Sequence, residues 1–146
     1  MRTSKHKGSR VQRKTQSNRC NIRGNSLNLV LAASQGKTRK VKQLVGQGAD
    51  INKSCIQKNV EYFPLYAAAQ RNHVDIMKYL LDHGANINLK TKKGATSLRT
   101  TIHRNHVAAA KLLLKRGIKV SKVDKQWVDY YSYYNKTRYS RMRKLF

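Results

Sequence analysis

Acidic side chains are nearly missing from this chain: six Asp and Glu stand against 32 Lys and Arg in 146 residues, for a formal net charge of +26. No acid precedes Asp50, and the six are scattered. Asp75 and Asp82 lie near each other, where capping or salt-bridging on one helix accounts for them. Paired-carboxylate chemistry therefore has little raw material. Cysteine is equally scarce. Cys20 and Cys55 form one distant pair with no zinc spacing, and both are read as reduced thiols of an intracellular protein. No apolar run approaches the roughly 18 residues of a membrane span. No apolar h-region follows the N-terminus, so a secretory route is not expected. Gly46-Gln47-Gly48 falls at a helix end rather than before one and makes no phosphate loop. The chain is expected to be non-enzymatic, with no metal, cofactor or small-molecule substrate.

What is abundant is positive charge. A surface this basic repels itself unless an anionic partner neutralises it. Nucleic acid is the commonest such partner, with acidic proteins and anionic membranes behind it. Apolar residues make up 39%, which suggests that part of the chain stays out of the core.

The chain repeats itself. Gly48-Ala49-Asp50-Ile51-Asn52, Gly84-Ala85-Asn86-Ile87-Asn88 and a decayed Gly117-Ile118-Lys119-Val120-Ser121 place their glycines 36 and then 33 residues apart. Gly36-Lys37, Asn72-His73 and Asn105-His106 keep the same beat. The three extra residues of the first step are expected in a loop from Lys53 to Tyr62. Each unit reads as two helices. The second helices carry apolar stripes at helical period: Val41, Leu44 and Val45; Ile76, Met77, Leu80 and Leu81; Ala109, Ala110, Leu113 and Leu114. Each ends near a glycine suited to a left-handed cap. The first helices are expected at Leu29 to Gln35, Leu65 to Arg71 and Leu98 to Arg104, with Pro64 at a helix start, where proline is tolerated. Neither helix of a unit can bury its face alone, so the units must stack.

Over about residues 25 to 120 this pattern resembles the ankyrin-repeat family. The family's usual unit reads Gly-x-Thr-Pro-Leu-His-Leu-Ala-Ala, two variable residues, Gly-His, then Ile-Val-x-x-Leu-Leu and Gly-Ala-Asp-Val-Asn. Phe63-Pro64-Leu65-Tyr66-Ala67-Ala68-Ala69 through Asn88 is the best match, and the third unit keeps Gly94, Thr96 and Leu98. Phe63 replaces the capping threonine, while Val30, Tyr66 and Arg99 replace the usual histidine. Thr100-Thr101-Ile102 replaces Leu-Ala-Ala, so the third unit is expected to pack loosely or to lean on the C-terminal segment. The resemblance implies an all-α repeat solenoid with hairpin fingers, divided as 25–52, 53–88 and 89–120. It also gives His106 a structural place in the Gly-His turn, although His103 stands three residues away.

Two basic segments flank the repeats. Residues 1–24 hold eight Lys and Arg and no acid, among them Lys5, Lys7, Arg10, Arg13, Lys14, Arg19 and Arg23. Such a segment cannot fold alone. It reads as an arm for an anionic partner, a solubilising tail or an organellar presequence. Residues 121–146 interleave Trp127, Tyr130, Tyr131, Tyr133, Tyr134 and Tyr139 with Lys136, Arg138, Arg141, Arg143 and Lys144. Trp127, Tyr130 or Tyr131, and Tyr134 share a helical face, which suggests a helix capping the third repeat. Rings left outside that contact, such as Tyr133 and Tyr139 beside Arg138, Arg141 and Arg143, could stack on unpaired bases.

Charge is uneven along the chain. Residues 53–88 are nearly neutral, while 89–120 hold nine basic residues and no acid. The family resemblance implies that partners meet the finger before each first helix and that helix's exposed end. In the third unit those positions are Lys90, Lys92, Lys93, His103 and Arg104, with Arg116 after the second helix and Arg71 one unit back. The first expectation is docking on RNA or a ribonucleoprotein such as a ribosome. The alternative is an adaptor or effector gripping an acidic protein.

Overall fold

Helix pairs form because each unit places a left-handed residue between two short helical runs. Gly36, Asn72 and Asn105 take φ of 73°, 60° and 56°. Asparagine is one of the few residues besides glycine that reaches this region readily. That explains why Asn alternates with Gly at the second landmark. The computed structural model describes residues 24–57 and 60–146. The elements are α1 (Asn25–Ser34), α2 (Thr38–Gly46), β1 (Cys55–Gln57), β2 (Val60–Tyr62), α3 (Pro64–Gln70), α4 (Val74–Asp82), α5 (Ser97–Arg104), α6 (Val107–Lys115), α7 (Lys122–Tyr134) and α8 (Lys136–Arg143). The whole basic arm, from Lys5 to Arg23, lies outside the described residues, as does Cys20.

The helices stand in two rows. In the inner row α1, α3, α5 and α7 pack successively, and in the outer row α2, α4, α6 and α8 do the same. One core runs the length of the array, from Leu29 through Leu44, Met77, Leu98 and Leu113 to Met142. The second landmark histidines tie unit to unit. A ring nitrogen of His73 bonds the Ser34 carbonyl at 3.1 Å, and His106 bonds the Ala69 carbonyl at 3.0 Å. Along the loops an asparagine ladder does the same. The Asn86 N–H donates to Asn52 Oδ1 at 2.7 Å, and the Lys119 N–H donates to Asn88 Oδ1 at 3.0 Å. His106 therefore has the structural role expected of it.

Several expectations change at this level. Helix α1 begins at Asn25, four residues before the expected start. The expected loop from Lys53 to Tyr62 holds an antiparallel ribbon, with Cys55 opposite Tyr62 and Ile56 opposite Glu61. This turns Cys55 inward against Val30 and Ala67, and it is disulfide-bonded rather than a reduced thiol. The third unit packs closely despite its polar run. Thr101 is fully buried, and its hydroxyl donates to the Leu98 carbonyl at 2.7 Å, so that hydroxyl is not orphaned.

The C-terminal segment is a helix pair rather than a single capping helix. Helix α7 packs on α5 and α8 on α6, in the places a fourth unit would occupy. Its entry is organised by Asp124, which is 2% exposed. The carboxylate accepts from the Ser121 N–H at 2.9 Å and the Ser121 hydroxyl at 2.7 Å, while Ser121 Oγ accepts from the Asp124 N–H. This is a reciprocal capping box. Arg99 Nε reaches the other carboxylate oxygen at 3.4 Å, and Arg99 Nη1 donates to the Gly94 carbonyl at 3.1 Å. Arg99, a departure from the family's histidine, thus fastens α5 to both its own finger and the fourth pair. Asp124→Ala removes the cap and leaves Arg99 without its counter-charge. It should cost about 2–4 kcal/mol in urea unfolding. The exposed Asp129→Ala should stay within about 0.5 kcal/mol of the parent. Equal midpoints for the two variants would contradict this account of the junction.

Candidate binding groove

Residues of the third finger and of the inner helices α3, α5 and α7 meet at one surface groove. The finger is a tight turn. The Thr91 N–H donates to the Ala95 carbonyl at 2.9 Å, and the Gly94 N–H donates to the Thr91 carbonyl at 2.8 Å. Gly94 supplies the positive φ of 73° that closes the turn. Thr91 is buried beneath, so Lys92 and Lys93 stand at the exposed tip, with Lys90 exposed at its base. The Lys92 N–H donates to Glu61 Oε2 at 2.7 Å, which docks this finger on the preceding one.

Beside the finger, Tyr66 and Gln70 of α3, Arg99, His103 and Arg104 of α5, and Trp127 of α7 line a groove of about 300 Å³. Its wall on α7 is aromatic. The Tyr131 ring is stacked between Trp127 at 5.4 Å and Tyr139 at 5.2 Å, and His103 meets its edge at 5.6 Å. The Tyr139 hydroxyl donates to the His103 carbonyl at 2.9 Å, which couples α8 to the end of α5.

The expected site residues fare differently. Lys90, Lys92, Lys93, His103 and Arg104 are all exposed, His103 and Arg104 line the groove, and Arg71 is exposed at the end of α3, one unit back. Arg116 does not belong with them. It caps α6 in the outer row and pairs with Asp82 of α4 at 2.7 Å. Tyr139 cannot stack on a base, because it is buried against Tyr131 and Met142 lies in the same core. Tyr133 is 77% exposed and stays available, as do Arg138, Arg141 and Arg143 on α8. Sequence reasoning missed Arg99 and Tyr66 as groove residues. The period-33 alignment of Tyr66 with Arg99 was the signal that could have found them. Among the described residues, no group of three or more His, Cys, Asp or Glu is placed to hold a metal ion. No helix among them is long and apolar enough to cross a membrane.

The family described as ankyrin repeats, in three copies, matches residues 29–124. The chain belongs to the ankyrin-repeat family. This ankyrin-repeat chain is 40% identical over 68 residues to the 2-5A-dependent ribonuclease of Mus musculus, which covers 47% of the chain and 9% of that protein. It is 37% identical over 70 residues to ankyrin repeat and KH domain-containing protein 1 of Homo sapiens, covering 48% of the chain and 2% of that protein. An ankyrin repeat-containing protein of Schizosaccharomyces pombe is 35% identical over 71 residues, covering 49% of the chain and 33% of the relative. The chain thus matches a third or less of the length of each of these relatives. Ankyrin repeats imply a protein-binding repeat domain.

The groove's aromatic wall has a titration signature. Burial pushes the phenols of Tyr131 and Tyr139 above their ordinary value of 10.0, and neighbouring Tyr139 and Tyr130 add to the effect on Tyr131. The neutral phenols are the form that packs. Their stabilising contribution is therefore complete below the ordinary value and is lost as pH rises through the raised ones. In a spectrophotometric alkaline titration, the combined Tyr131→Phe and Tyr139→Phe variant should lack the late-ionising phenols of the parent. An unchanged late tail in that variant would contradict the stacking described here.

Proposed function

We propose that this chain is a non-enzymatic binding module that grips an acidic segment of another protein in the groove between the third finger and α3, α5 and α7. The observation that carries the reading is the surplus of unpaired cations around that groove. Two ion pairs occur among the described residues, Arg99–Asp124 and Arg116–Asp82. Lys90, Lys92, Lys93 and Arg104 are exposed and take part in neither. Carboxylates of a partner would relieve their mutual repulsion and steer its approach. A protein segment is favoured over RNA because the chain matches ankyrin repeats, which imply a protein-binding repeat domain.

The test is a pair of titrations on the full-length protein. One uses a labelled Asp/Glu-rich peptide and the other a single-stranded RNA of matched length, each at low and at about half-molar salt. The peptide should bind. The combined Lys90→Ala, Lys92→Ala, Lys93→Ala and Arg104→Ala variant should weaken it about tenfold or more, since each surface pair contributes about 0.2–1 kcal/mol. An unbound peptide beside tightly bound RNA, whose log affinity falls by about 0.7 per phosphate contact with log salt, would overturn the proposal in favour of RNA.

A further inference from the structure

The large hydrophobic side chains exposed among the described residues all lie in the fourth helix pair and the residue leading into it: Val120, Val123, Trp127, Tyr130, Tyr133 and Tyr134. Four of them stand at 123, 127, 130 and 134. Steps of four, three and four residues place them on one stripe of α7, about 16 Å long at 1.5 Å per residue. The buried side of the same helix is Asp124, Val128 and Ser132. The side carrying Lys122, Gln126 and Asp129 is exposed and polar. The stripe therefore lies between the packed side and the polar end. Trp127 fixes where it looks, because its ring lines the groove with Tyr66, Arg99 and His103. A second hollow of about 460 Å³ opens next to it, lined by Gln126, Trp127, Tyr130 and Tyr131.

A contiguous aromatic stripe open to water marks an interaction site. A second copy of this chain is a poor occupant, because docking would bring together two chains of formal charge +26. The cations of the third unit border the groove that the stripe enters, so the occupant must carry acid and apolar groups together. We propose that the stripe on α7 is the apolar half of the docking groove, and that its occupant is an amphipathic helix of an acidic partner. Apolar residues recurring every three or four positions on that helix fit between Val123, Trp127, Tyr130 and Tyr134 as ridges fit grooves. Acidic residues along its edge meet Arg104 and the third finger. This inference rests on the acidic-partner reading and deepens it by assigning the partner's secondary structure and its apolar anchor.

The probes are two synthetic acidic peptides of identical composition. One carries Leu and Phe at helical three-and-four spacing, and the other has the same residues permuted out of register. Trp127 is the chain's only tryptophan, so its emission reports directly on the stripe. Full-length protein should bind the patterned peptide about tenfold more tightly than the permuted one, with a blue shift of Trp127 emission only for the former. The combined Tyr130→Ser and Tyr134→Ser variant changes rings that are 54% and 70% exposed, so the fold should be retained. That variant should bind both peptides at the permuted level. Equal binding of the two peptides by the parent, or a preference that survives in the tyrosine variant, would overturn the stripe while leaving the acidic-partner reading intact. Failure of both peptides to bind would overturn that reading and this inference together.

Discussion

One buried carboxylate joins the fourth helix pair to the repeats. Three stacked helix pairs would leave α5 and α6 with an unpartnered side, which the fourth pair covers. Asp124 makes that pairing possible. It starts α7 by capping its first turn and holds Arg99, which in turn holds the third finger. In a chain with six acids, this one joins the regular repeats to a segment whose sequence has left the repeat pattern.

The same scarcity of acid shapes everything else. Stacked units in a strongly basic chain cannot be fastened by many ion pairs, and only two occur among the described residues. The links between successive units are instead largely uncharged-amide and imidazole side chains bonded to backbone: His73 and His106 to carbonyls, Asn52 and Asn88 to amides. Surface ion pairs contribute little to stability in any case. Because stacking does not consume the cations, Lys90, Lys92, Lys93 and Arg104 remain on the surface for a partner. The array's stability and its binding charge are thus carried by different residues.

The repeats were legible because their signals are local. A left-handed residue, a glycine cap and an apolar stripe recur at a fixed period, and each has one structural meaning. The fourth pair was harder to read for a physical reason. Its aromatic residues fall at helical spacing, which reads as a buried face, yet the residues packed inward from α7 include Asp124 and Ser132 as well as Val128. Asp124 is buried there because Arg99 and Ser121 satisfy the carboxylate, and a partner three-dimensionally adjacent but 25 residues away leaves no trace in periodicity. Tyr139 looked exposed beside Arg138 and Arg141, although its ring fits under Tyr131. Arg116 counted as a free cation until Asp82 of the preceding unit was placed beside it. Charge placement along the chain showed which unit is basic, but only the fold shows which cations are already paired.

The groove exists only if α7 and α8 form one cooperative body with the repeats. Native-state hydrogen exchange on the full chain tests this directly, because amides of a docked element exchange only when the body that holds it opens. The amides of α7 around Val128 should show the same opening free energy as those of α5 around Ile102, and Asp124→Ala should lower it for α7 first. Exchange of α7 amides orders of magnitude faster than those of α5 in the unaltered chain would contradict the docked arrangement, because the fourth pair would then be an undocked tail rather than the wall of the groove.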